Sequence, residues 1–108
     1  MPFKFEKLKV WQEATELSGC VHNLSLKFPK EELYILTAHI KRAADSISLN
    51  VAEGSTGQSD AEFKKFLGHA IRSGIEVVGC IYLAKKRRII SEEDFSLRRM
   101  ISLKEYKH

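Results

Sequence analysis

The spacing of apolar side chains constrains this chain more than any other feature. Val10, Ala14, Leu17, Val21, Leu24 and Phe28 fall four and three residues apart, which places all six on one helical stripe. Leu8 and Trp11 widen the stripe, while Gln12, Glu13, Glu16 and Asn23 lie mostly away from it, as on one member of a helix bundle. The same rhythm returns in Leu33, Leu36, Ile40, Ala43, Ile47 and Val51, and again in Phe63, Leu67, Ala70, Gly74, Val77, Ile81 and Ala84, flanked by Phe66, Ile71 and Val78. With only two prolines and six glycines there is little material for the turns of a β fold, so long helices are expected.

The breaks between stripes have their own chemistry. Pro29 lacks an N–H and disfavours a helical Phe28, so the first helix, about residues 6–28, ends there. Proline suits the first position of a new helix, and Glu31 and Glu32 favour its positive dipole end, so a second helix runs over about residues 30–53, with Gly54 as its left-handed stop. Ser55 to Gln58 is a polar loop, and Ser59 with Glu62 forms a capping box that opens a third helix over about residues 60–88. Gly68, Gly74 and Gly79 each cost about 1 kcal/mol inside it, which points to close backbone packing at some of them. Ser91 and the acidic residues after it start a short fourth helix over about residues 92–106, with Phe95, Met100, Ile101 and Leu103 as its apolar face.

Short connections force antiparallel neighbours, so the expected fold is all-α: one domain, residues 1–108, an antiparallel up-down-up-down four-helix bundle with a short fourth helix. That short helix leaves apolar surface near Trp11, Phe63 and Phe66, which self-association would cover. The first ten residues hold no apolar run of signal-peptide length, no stretch approaches an uncharged membrane span, and Cys20 and Cys80 have no framework spacing. A cytoplasmic protein with reduced thiols is the expectation.

Polar residues add two further patterns. His39, Arg42, Ser46, Asn50 and Glu53 run down the second helix at steps of three and four, and His69, Arg72 and Glu76 do so on the third. Counted from the connecting loop, Arg42 lies near Arg72 and within reach of Glu76, so a polar network is expected, structural or between subunits. The di-iron motif Glu-x-x-His occurs once, at Glu105 and His108, and neither a catalytic elbow nor a phosphate loop occurs. No catalytic residue, metal or cofactor is therefore expected, and His22, His39 and His69 read as polar or capping residues.

Charge is placed unevenly. All of the net charge of +4 lies beyond Ala84, where Lys85, Lys86, Arg87 and Arg88 are followed by Arg98 and Arg99. These six form a candidate nucleic-acid interface through phosphate neutralisation; as a solvated helix end they would equally complement the dipole of the third helix. No aromatic residue is interleaved with the run, so base-specific readout is not expected.

Several stretches together resemble a known family. Leu8, Val10, Trp11, Gln12 and Ala14, then Phe28-Pro29-x-Glu31, then the stretch from Arg42 through Ser46-Ile47-x-x-Asn50-Val51-Ala52-Glu53-Gly54, then Glu62-Phe63-x-x-Phe66-Leu67 with Ala70, Ser73 and Glu76, are similar to the bacterial 23S rRNA-intervening sequence proteins. The resemblance runs from about Phe5 to Ala84, and the end of the second helix is its most specific part. It implies a non-enzymatic four-helix bundle that assembles as a homopentamer. The family in turn resembles the accessory protein of diversity-generating retroelements, which implies binding of a reverse transcriptase and of RNA or DNA through basic surface. His39, where glutamine is common, and the short fourth helix depart from the pattern. Two functions are thus expected in turn: an oligomeric adaptor associated with RNA or DNA, or a scaffold for a protein partner with no nucleic-acid role.

Overall fold

The computed structural model describes residues 3–57, 59–91 and 93. Within them the chain is all-α, with no strand. A 3-10 turn at Lys4–Lys7 leads into α1, Lys9–Ser25; α2 is Ala38–Ser55 and α3 is Asp60–Lys86. The fourth helix expected over residues 92–106 lies almost wholly outside the described residues, as do Arg98 and Arg99.

α2 packs against both α1 and α3, while α1 and α3 have little direct backbone approach. Each neighbouring pair is antiparallel, as the short connections require. The core lies where the stripes meet: Leu17, Val21 and Leu24 from α1, Ile40 and Val51 from α2, and Val77 and Ile81 from α3 are fully enclosed. Burying side chains of this size stabilises the fold by about 1.5–3 kcal/mol each relative to exposure.

Helix ends depart from the sequence reading. α1 stops at Ser25, three residues before Phe28, and the amides of Lys27 and Phe28 donate to the carbonyls of Leu24 and Ser25 in tight i,i+3 turns. Those turns carry the chain out of the helix before the proline would obstruct it, and Phe28 still folds back into the core. Val10 and Leu33, placed on the buried stripes by spacing, are exposed. The segment ahead of α2 is a 3-10 turn at Lys30–Glu32 followed by a π-helical turn at Leu33–Thr37. Glu32 caps that turn, its carboxylate accepting from the Leu36 amide at 3.4 Å. Of the four consecutive apolar residues Leu33 to Leu36, only Leu36 is buried.

Gly54 does not stop α2. It sits inside the helix, and no glycine among the described residues has a positive φ. A Cβ at Gly54 would come within 2.6 Å of Phe66 Cβ and 2.9 Å of Phe63 Cδ1, so the glycine admits α3 against the α2 backbone. At Gly68 and Gly79 a Cβ would meet nothing within 4 Å, so close packing does not account for those two. Ser59 caps α3, its hydroxyl accepting from the Glu62 amide at 3.1 Å, which is one half of the expected capping box.

Trp11 is covered from within the chain. Phe5 meets it edge-on at 4.9 Å between ring centroids, and Phe3 stacks on Phe5 at 5.4 Å. The Gln12 side chain donates to the Glu6 carbonyl at 2.9 Å and holds the Lys4–Lys7 turn to α1. Phe3 at the edge of this cluster stays exposed, Phe63 and Phe66 are half-buried beside Gly54, and further exposed apolar side chains lie at Tyr34 and Leu49 on the α2 side and at Ile75 on α3. By length and composition α3 is apolar enough to cross a membrane, nearer that limit than the sequence reading allowed. Arg72 and Glu76 stand at mid-length, and Val77, Ile81 and Ala84 are packed in the protein core.

Candidate functional site

The basic run caps the C-terminal end of α3 through a Schellman motif. The Ile89 amide donates to the Ala84 carbonyl at 2.8 Å and the Arg88 amide to the Lys85 carbonyl at 2.9 Å. Arg88 occupies the left-handed position with φ of 60°, usually held by glycine. Ile90 then returns to the core, with Ile89 packed against its edge. This geometry gathers the cations at a helix terminus, where they complement its negative dipole end.

The four cations are not equivalent. Arg87 Nη1 donates to Glu32 Oε1 at 3.3 Å, tying the end of α3 to the start of the second helical segment. That carboxylate is largely enclosed and also caps the π turn, so Arg87 holds the fold together before it meets any ligand. Lys86 and Arg88 are exposed at the same end. The same ion pair brings the connection after α1 beside them, adding Lys30. Sequence spacing located the cluster but not its division of labour, because Glu32 is 55 residues away from Arg87.

The expected polar network divides into separate contacts. Ser73 donates its hydroxyl to Ser46 at 2.9 Å, and the Asn50 amide donates to the same oxygen at 2.9 Å and to the Ser46 carbonyl at 2.8 Å. Glu76 pairs with His39, not with Arg42. The loop-counting register is right to within a few residues, since Ser46 does face α3, yet the Glu76 carboxylate reaches the imidazole of His39. Arg42, Arg72 and Glu53 form no ion pair among the described residues. His69 lies edge-on to Phe66 at 6.0 Å.

A second cluster, on the α1–α2 seam, escaped the sequence reading. Asp45 Oδ1 accepts from the Ser18 hydroxyl at 2.5 Å and lies 3.0 Å from His22 Nε2. The three residue types are those of a hydrolase triad, but the order of contacts is not. Ser18 donates its hydroxyl hydrogen bond to the carboxylate, whereas a serine to be activated must donate to the imidazole. The cluster therefore locks helix register without activating a nucleophile. Ser18 and His22 stand four residues apart beside the buried stripe, the one signal in the sequence that could have found it.

Both thiols are free. Burial, and next the nearby Glu76 carboxylate, push the Cys80 thiol up from 9.0 to about 11, with Arg87 pulling the other way. A proton is thus bound more tightly in the folded state, so the contribution is complete below pH 9 and is lost as pH rises through about 11. At 1.4 kcal/mol per unit this amounts to about 2–3 kcal/mol. Urea denaturation is expected to show an alkaline loss of stability in the parent between pH 9 and 11 that is smaller by that amount in Cys80→Val. Equal losses in both proteins would show that the thiol makes no such contribution.

With the geometry established, comparison with known proteins gives a consistent result. The sequence matches the family model described as 23S rRNA-intervening sequence protein over residues 6–102. Among solved structures, a crystal structure of a protein with unknown function from the S23 ribosomal protein family of Bacteroides thetaiotaomicron superposes with a TM-score of 0.84. It is 22% identical, and the alignment covers 91% of this chain and 92% of the other, a likeness that establishes the fold. A search of curated proteins found no match.

Proposed function

The chain belongs to the 23S rRNA-intervening sequence protein family, and from that premise we propose that it is a cytoplasmic, non-enzymatic adaptor that self-associates and binds structured RNA through its basic end. In this reading residues 92–106 complete an antiparallel four-helix bundle, and five copies form a ring. Lys85, Lys86 and Arg88, with Lys30 beside them and Arg98 and Arg99 following in the chain, supply the phosphate contacts. The observation that carries the proposal is the Arg87–Glu32 pair, because it gathers cations from two parts of the chain at one end of the molecule. Arg87 is the anchor of that surface. Five copies of one weak patch would gain avidity without any new contact.

The test is RNA binding followed as a function of salt. The parent is expected to bind a structured RNA with an affinity that falls steeply as salt rises, because each neutralised phosphate releases counterion. Replacing Lys85, Lys86 and Arg88 with glutamine, leaving Arg87 in place, is expected to reduce the log–log salt slope by about 0.7–0.9 for each phosphate no longer neutralised. Helicity should be unchanged, since Lys86 and Arg88 are exposed, Lys85 is half-buried at the helix end, and surface charges contribute little to folding. Absence of salt-dependent binding by the parent, or equal slopes, rules out the nucleic-acid reading and leaves a scaffold for a protein partner. Light scattering that returns a monomer mass at micromolar concentration rules out the ring.

A further inference from the structure

Away from the basic end, an open groove of about 730 Å³ runs along the outer face of the π turn and α2, from Leu33 to Leu49, with His22 of α1 on its rim. Its walls are chiefly apolar, and three wall residues are exposed large apolar side chains: Tyr34 at 89%, Leu49 at 62% and Leu33 at 48%. The sixteen steps from Leu33 to Leu49, at about 1.5 Å each, make it about 24 Å long, a channel and not a compact pocket.

Two observations indicate what it takes. Thr37 is 6% exposed and lines the groove, and its hydroxyl finds no hydrogen-bond partner among the described residues. Threonine and serine hydroxyls in the regular helices, such as Thr15, Ser25 and Ser55, donate to the carbonyl three residues back. Thr37 lies in the π turn, where the carbonyl ladder is displaced. A buried polar group without a partner costs stability, and wide turns of this kind recur at binding sites. The second observation is charge. Lys41 and Arg42 stand midway along the groove with no ion pair among the described residues, whereas the Asp45 carboxylate is already taken by Ser18 and His22. The groove is therefore apolar at both ends and positive in the middle.

We propose that this groove docks an amphipathic helix of a partner protein, about four turns long, with apolar side chains seated at Leu33/Tyr34 and at Leu49 and a central carboxylate meeting Lys41 and Arg42. Helix-in-groove recognition uses this pattern of spaced apolar anchors, and the carboxylate sets polarity and orientation. The site is distinct from the RNA surface and stands or falls without it.

The probe is a synthetic, fluorescently labelled 16-residue helical peptide carrying leucines at both ends of one face and two glutamates between them, with a control in which lysines replace the glutamates. The acidic peptide is expected to bind the full chain at least tenfold more tightly than the lysine control, and to lose at least tenfold on Leu49→Asp and on Arg42→Glu. Both sites are exposed, so both variants should retain the parent's circular dichroism. Amide shifts on binding should concentrate at Tyr34, Thr37 and Leu49. Equal affinity for both peptides, or unchanged affinity in both variants, overturns the proposal. It is also overturned if Leu49→Asp reduces the oligomer mass, because a second copy then fills the groove, or if structured RNA displaces the peptide in the parent and in the Lys85/Lys86/Arg88 glutamine variant alike, because nucleic acid is then the occupant.

Discussion

Val77→Asp is expected to remove most of the stability of the fold. Val77 is 0% exposed and stands where α3 enters the common core, so a carboxylate there reaches neither water nor a cation. The chain must either bury a charge or protonate it, and each route costs several kcal/mol against a total of about 5–15 kcal/mol for a domain of this kind. Circular dichroism during urea denaturation should show a midpoint shifted far down or no folded baseline at all. Leu67→Asp is the informative control. Leu67 lies on the same sequence stripe but is only partly buried at its edge, so its carboxylate can turn to solvent and the loss should be much smaller. If the two variants melt alike, the inward face of α3 is not the one described.

Gly54→Val should destabilise where helix propensity taken alone predicts a small gain. In an exposed helix, replacing glycine by alanine restores about 0.5–1 kcal/mol, and by β-branched valine a smaller part of that. Here a Cβ would stand 2.6 Å from Phe66 Cβ, an atom fixed to the α3 backbone, so α2 and α3 must part or shift. Overpacking of this kind costs about 1–3 kcal/mol, and the two valine methyls place the change at the upper end of that range. Gly68→Ala, where a Cβ meets nothing, is expected to gain a few tenths of a kcal/mol up to about 1 kcal/mol. Opposite signs at the two glycines, read from denaturation midpoints, would establish close approach as the role of Gly54. A stabilised Gly54→Val would refute it.

These contrasts show how much the chain discloses before it folds. The four-three rhythm alone identifies the enclosed residues, because a side chain's angular position on a helix is fixed by its number. Ala14, Leu17 and Val21 are inside for that reason, as are Ile40, Val51, Val77 and Ile81. Rhythm fails at stripe ends, where Val10 and Leu33 keep the right angle but the neighbouring helix no longer covers them. It also fails for Asp45, whose partners lie 23 and 27 residues away on another helix. No local pattern marks such a residue; only the α1–α2 register does. The run Leu33-Tyr34-Ile35-Leu36 did carry a warning, since four consecutive apolar residues cannot all face one way on a helix. Lys85 to Arg88 are legible as a charge cluster, whereas the withdrawal of Arg87 into a bond with Glu32 depends on the tertiary fold.

The π turn at Leu33–Thr37 has one more consequence, for the lengths this chain can tolerate. A wide turn holds an extra residue within a single revolution, so removing one there can be absorbed by relaxation to an ordinary helical turn, with everything downstream keeping its phase. The same removal inside Ala38–Ser55 would rotate the rest of α2 by about 100° relative to its beginning. Ile47 and Val51 would swing out of the core and Ser46 would leave Ser73 of α3. Single-residue deletions should therefore be survivable in the five residues ahead of α2 and ruinous in the eighteen that follow, making the wide turn a slack segment between two parts of the chain that need not stay in step.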